Sequence, residues 1–119
     1  MSIDSYNLFI RNLKKSNLQI VKDLVSKGDS LLTPHLLDHF ASFDSRCNCK
    51  SFLKVAYLHG FIGSDSFNRQ RDCWEVRFSR SDIINEDNIE NLIGEISRLV
   101  LDFHGQYDGW ITLEQISND

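Results

Sequence analysis

Between Ile89 and Phe103 the chain carries one unbroken apolar stripe: Ile89, Leu92, Ile93, Ile96, Leu99, Val100 and Phe103. Steps of three and four residues put the whole stripe on one side of a helix. Glu86, Asp87 and Glu90 place negative charge around its start, where the helix dipole favours it. His104-Gly105 reads as its end, with Gly105 as the residue of positive φ just past the last turn. The other firm element is a strand over CWEVRFSR. There Trp74, Val76 and Phe78 face one way and Glu75 and Arg77 the other, the two-residue period of a half-buried strand.

The remaining elements are read around these two. Tyr6, Phe9, Ile10 and Leu13, then Ile20, Val21 and Leu24, predict an N-terminal helical segment. Asn17 falls where an apolar residue is expected, and Ser16-x-x-Gln19 reads as a cap that starts a second helix. Lys27-Gly28 reads as its stop. Leu31 to Phe43 is predicted as a strand with both faces covered, His35, Leu37, His39 and Ala41 on one and Leu36 and Phe40 on the other. Pro34 is tolerated near its beginning. Asp44 or Ser45 then caps a helix with the stripe Cys49, Phe52, Leu53, Ala56 and Tyr57, which ends at His59-Gly60. Phe61-Ile62 opens another strand, FNRQRD is a polar turn, and a last strand runs from Gln106 to about Leu113. After the first helical segment the order is strand, helix, strand, strand, helix, strand. That is the ferredoxin-like βαββαβ sandwich, an α+β fold with a four-stranded antiparallel sheet. The expected organisation is a helical segment over residues 1–30 packed on a domain over 31–119, one domain in all.

The last strand contains YDGW. Strict alternation puts Tyr107, Gly109, Ile111 and Leu113 on one face and Asp108, Trp110 and Thr112 on the other. Gly109 beside two aromatic residues allows a close backbone approach or a bulge. Two readings follow. Tyr107 and Trp110 fill the core while Asp108 caps a turn, or the three form a recognition patch, since tryptophan, tyrosine and an acid are favoured interface anchors. Asp38 and Glu75 are further acidic candidates for contact with a partner.

Composition narrows the function classes. The net charge of −4 over 119 residues disfavours non-specific binding to nucleic acid, which needs a basic surface. No run of about 18 apolar residues is present to cross a membrane, and the first residues do not pattern as a secretory signal. Three cysteines, Cys47, Cys49 and Cys73, are an odd number in no redox or zinc spacing, so free thiols in a reducing cytoplasm are expected. His35 and His39 on a strand lie about 13 Å apart, too far to share one ion. No catalytic motif appears. Asp38, Asp44 and Asp108 show no pairing in the sequence. The expectation is a non-enzyme with no cofactor and no metal. Arg69, Arg71, Arg77 and Arg80 form a basic cluster around one hairpin. It keeps an RNA-binding module as a third reading, although CWEVRFSR lacks the glycine of an RNA-recognition strand.

The strand with His39-Phe40, the helix ending in His59-Gly60-Phe61, the tryptophan-bearing strand, the long helix and Tyr107-Asp108-Gly109-Trp110 together resemble the regulator of ribonuclease activity B family. The likeness runs from about Leu31 to Leu113, and YDGW is its most specific piece. It implies a small cytoplasmic ferredoxin-like protein that binds ribonuclease E and inhibits it without catalysis. The expected partner is therefore a protein, a nuclease, approached through Asp108, Trp110, Tyr107, Asp38 and Glu75. The alternative is an immunity protein that neutralises a toxin nuclease, and the sheet also leaves a homodimer open.

Overall fold

The computed structural model describes residues 16–26 and 33–112. Three helices and four strands lie within them: α1 (Asn17–Ser26), β1 (His35–Phe43), α2 (Arg46–Leu58), β2 (Ile62–Asn68), β3 (Cys73–Asp82), α3 (Ile89–Asp102) and β4 (Gln106–Thr112). The expected positions Tyr6, Phe9, Ile10, Leu13, Lys27, Gly28, Leu31 and Leu113 fall outside the described residues. The strands form one sheet in the order β2-β3-β1-β4, every neighbouring pair antiparallel. This is the ferredoxin-like arrangement read from the sequence.

Each element begins and ends for a local reason. Ser16 Oγ accepts from the Gln19 amide and starts α1. β1 begins one residue after Pro34, whose ring has no N–H to give to a ladder. Ser45, rather than Asp44, caps α2, its Oγ accepting from the Asn48 amide at 3.2 Å. At the far end Gly60 takes φ +89° and turns the chain into β2. The polar turn is shorter than FNRQRD, because β2 continues through Phe67 and Asn68. Asn68 Oδ1 then accepts from the amides of Gln70 and Arg71 and folds the hairpin. Ahead of α3, Asn85 Oδ1 accepts from the amides of Asp87 and Asn88.

The odd-numbered residues of β1 face the helices. Leu37, His39, Ala41 and Phe43 meet Val76 and Phe78 of β3, and Phe52 of α2 packs on Phe43 and Phe78 with ring centroids 5.2 and 5.0 Å away. Phe103 closes the layer from the end of α3, 6.2 Å from Phe52. Ile20, Val21 and Leu24 of α1 join the same buried cluster. Each of these large side chains contributes about 1.5–3 kcal/mol through the apolar area it removes from water. Tyr57, expected in the buried stripe of α2, is instead 72% exposed. The even-numbered face of β1 is buried from Asp38 onward, Asp38, Phe40 and Ser42 all being below 8% exposure, but Leu36, expected to be covered with Phe40, is exposed at 37%.

Gly105 is required for a reason other than the one its position suggests. The residue of positive φ after α3 is His104, at +61°. A Cβ on Gly105 would sit 2.3 Å from Cε1 of Phe43, inside the ring's contact distance. Gly94, on the outer side of α3, has nothing within 4 Å of that position. The two alanine substitutions therefore have opposite signs. Gly105→Ala is expected to destabilise the fold by about 1–3 kcal/mol through overpacking. Gly94→Ala is expected to stabilise it by about 0.5–1 kcal/mol through helix propensity. Urea midpoints of the two variants against wild type measure both, and equal shifts of one sign would refute the assignment.

Candidate functional site

The register of β4 on β1 breaks at YDGW. Phe40 pairs with Gly109 but Ala41 pairs with Tyr107, which leaves Asp108 as an extra residue in the strand. Gly109 absorbs the bulge at φ +141°, a conformation that a residue with a Cβ rarely adopts. One inserted residue reverses the alternation beyond it. Tyr107 and Trp110, which strict alternation separates, therefore both stand on the helix side, opposite Ala41 and His39.

There each aromatic residue places its one polar atom on a partner. The Tyr107 hydroxyl meets His39 Nδ1 at 2.8 Å. Trp110 Nε1 donates to Asn17 Oδ1 at 2.7 Å. Asn17, out of pattern in an apolar position, is thus the acceptor that lets an indole be buried to 2% exposure. His39 has no exposed surface. It stacks on Phe78 at 5.2 Å and meets the edge of Phe61 at 5.8 Å. Desolvation by this apolar cage, with Arg80 adding to it and Asp38 opposing it, lowers its pKa to about 3. Its Nε2 is buried without a hydrogen-bond partner.

The opposite face of the sheet carries the charges. Asp38 is 3% exposed and accepts from Arg77 Nη2 and from Ser79 Oγ. Arg77 also lies over the Phe40 ring, 6.0 Å from its centroid. At the hairpin end, Arg71 Nη1 binds Glu75 Oε2 at 2.8 Å and lies 3.8 Å from Asp108 Oδ2, while its Nη2 reaches Ser42 Oγ at 3.4 Å. Burial raises the Asp108 pKa, with Arg71 and a Ser42 hydrogen bond offsetting part of the effect. Arg80 is held by Asp82 and by the carbonyl of His59, and lies 4.2 Å from the Phe61 ring centroid. Three of the four arginines of the hairpin thus have acidic partners.

The five residues expected to meet a partner are therefore divided by the fold. Glu75 and Asp108 are gathered around Arg71, the Glu75 side chain 39% exposed and that of Asp108 12%. Trp110 and Asp38 are buried, and Tyr107 is partly buried with its hydroxyl on His39. Sequence reasoning missed Arg71 as the residue that joins Glu75 to Asp108, since its two acids lie four and 37 positions away. It also missed Asn17, although a polar residue interrupting an apolar stripe was the available signal. Cys47, Cys49 and Cys73 are free thiols, and burial beside Asp65 pushes the Cys49 thiol up to about 12. Among the described residues no three His, Cys, Asp or Glu side chains are grouped so as to hold a metal ion. No helix among them is long and apolar enough to cross a membrane.

Fold and site define a ferredoxin-like scaffold whose histidine and aromatic residues are spent on packing and whose charges are paired on the sheet. The chain belongs to the regulator of ribonuclease activity B family, whose sequence profile matches residues 14–112. Its class is thus that of regulators of ribonuclease activity, which fits a protein without catalysis of its own. Comparison with curated proteins gives no match.

The buried imidazole makes a pH prediction. His39 is neutral in the fold down to about pH 3 but takes up a proton near 6.5 when unfolded. Between those values the unfolded state binds more protons, so stability falls as pH falls. The stabilisation is whole above pH 6.5 and is lost toward pH 3, at up to about 1.4 kcal/mol per pH unit. Urea unfolding at pH 7, 6 and 5 should show a steeper loss for wild type than for His39→Gln, which has no imidazole to titrate. Parallel slopes would show that His39 does not supply the dependence.

Proposed function

We propose that this protein regulates a ribonuclease of the ribonuclease E type by binding it as a folded, non-catalytic inhibitor. Family membership supports the regulatory class. The observation that carries the binding mode is the joining of Asp108 to Glu75 around Arg71, which holds two carboxylates at the end of the sheet. A ribonuclease binds a polyanion and so presents a basic groove. Two carboxylates around the one Arg71 guanidinium leave the cluster net negative, and on a protein of net charge −4 it is complementary to that groove and gains in association rate. In this reading Glu75 and Asp108 make the contact, while Trp110, Tyr107 and Asp38 hold the bulge and the sheet in the shape that presents them. The ion pairs of Arg71, Arg77 and Arg80 consume positive charge that an RNA phosphate would need, which favours a protein partner over RNA.

The test is inhibition of purified ribonuclease E from the same source, with a labelled RNA substrate. Wild type should slow cleavage and co-elute with the enzyme. Glu75→Lys combined with Asp108→Asn should weaken inhibition by about tenfold or more, with the larger part in the association rate. Circular dichroism and urea midpoints confirm that the variant is folded. A wild-type protein that neither binds nor inhibits the enzyme overturns the proposal, and so does a folded double variant that inhibits as well as wild type.

A further inference from the structure

β2 is an edge strand that, among the described residues, pairs with β3 alone. All seven of its residues, including Ile62 at 76% and Phe67 at 45%, are exposed or half exposed, and it carries no proline. Alternate backbone N–H and C=O groups of such a strand point away from the sheet and are available to another strand. α2 stands over this edge. Lys50 Nζ reaches Asp65 of β2 at 3.1 Å, and Leu53 Cδ2 lies 3.0 Å from the place where a Cβ on Gly63 would be. Lys50, Leu53, Lys54 and Tyr57, three and four residues apart along that side of α2, line an open cavity of about 410 Å³. A strand added to β2 would lie about 4.8 Å further out, beneath this flank. Every second side chain of that strand would rise into the cavity.

We propose that the free edge of β2 and the α2 flank above it form a docking site for an extended segment of a partner protein, whose helix-side positions run acidic, apolar, acidic. The apolar side chain fills the cavity against Leu53 and the Tyr57 ring. The acids meet Lys50 and Lys54. α2 carries Arg46, Lys50 and Lys54 and no acidic residue, so the flank is basic although the whole chain is acidic. The same charge argues against a second copy. Antiparallel pairing of two β2 edges would put both α2 flanks on one side of the joint sheet, lysines facing lysines. It would also set the two Asp65 residues near each other at the centre of the seven-residue strands. Strand addition of this kind draws affinity from main-chain hydrogen bonds and specificity from alternate side chains. The inference holds whether or not the regulated enzyme is the partner, because the outer edge of β2 and the α2 flank are separated by two strands from Asp108 on β4 and meet the Arg71 cluster only at the hairpin end, where Asn68 donates to Glu75.

A capped peptide as long as β2, seven residues, of sequence Thr-Glu-Val-Leu-Val-Glu-Thr supplies the pattern. Added to the full chain, it should move amide resonances of residues 50–57 and 62–68, with smaller shifts in their β3 ladder partners, and leave those of Gln106–Thr112 still. Binding should weaken by about tenfold with Lys54→Glu and weaken with added salt. Lys54 is exposed, and the glutamate would sit four residues from Lys50, so α2 should stay folded. The peptide with lysine in place of both glutamates should bind wild type far more weakly. Shifts elsewhere, equal binding of the lysine peptide, or no shift at millimolar peptide would each overturn the proposal. So would a homodimer in solution whose interface is the β2 edge.

Discussion

One inserted residue in β4 organises the molecule. Without the extra position at Asp108, Tyr107 and Trp110 would point to opposite faces of an edge strand, and one would lose its partner. With it, both enter the helix layer, where His39 and Asn17 receive them at 2.8 and 2.7 Å. The Trp110–Asn17 hydrogen bond ties α1 to β4 across 93 positions of sequence. The same insertion gives Asp108 a place beside Arg71 and Ser42 rather than in the ladder. Gly109 makes this possible, because its φ of +141° is open to glycine and strained for other residues. A single backbone irregularity therefore sets the core at this edge, the docking of a helix and the position of an acid.

The charges are arranged so that the two sides of the helix layer differ in sign. α2 offers Arg46, Lys50 and Lys54 with no acid. α3 offers Glu90, Glu95 and Asp102 against Arg98 alone. Between them the sheet's own charges close into pairs, Asp38 with Arg77 and Glu75 with Arg71. Asp38 is buried, so breaking its pair would leave a costly uncompensated charge, whereas the exposed Arg71–Glu75 pair contributes little. The pairs fix which strand residues lie beside which. What remains for long-range attraction is carried mainly by the helices and the hairpin rim. A basic ligand and an acidic one would thus be drawn to different parts of the surface.

The elements were legible in the sequence wherever one periodicity acted over many residues. The stripe from Ile89 to Phe103 and the alternation of Trp74, Val76 and Phe78 gave both their type and their buried side. β4 was legible as a strand but not in its facing, because alternation assumes a register that the bulge at Asp108 breaks. The glycine after α3 was read through its commonest role. Its actual constraint is the Phe43 ring, more than 60 positions away, and such a clash leaves no local trace. Tyr57 fitted the helical stripe of α2 yet points outward. The sheet ends at β2 there, so the last turn keeps Ala56 in the core while its Tyr57 side overhangs the edge. The site was least legible of all. Arg71, Glu75 and Asp108 look like ordinary solvated charges until the hairpin and the bulge bring them together.

That overhang also bears on why the two edges of the sheet differ. β4 bears a bulge, which twists an edge strand away from further pairing. β2 has no such protection in its backbone. Its one charged residue, Asp65, is met by Lys50, so the charge that would repel an incoming strand is largely neutralised at its own edge. Gly63 lets Leu53 close down onto the strand, since a Cβ there would meet its Cδ2 at 3.0 Å. An edge kept regular, a helix flank left apolar between two lysines, and a glycine that lets that flank sit close to the edge act in the same direction. Each alone is ordinary in a small α+β protein. Together they leave Leu53 and the exposed Tyr57 lining one groove, where burial against a second chain would recover apolar area that this fold leaves in water.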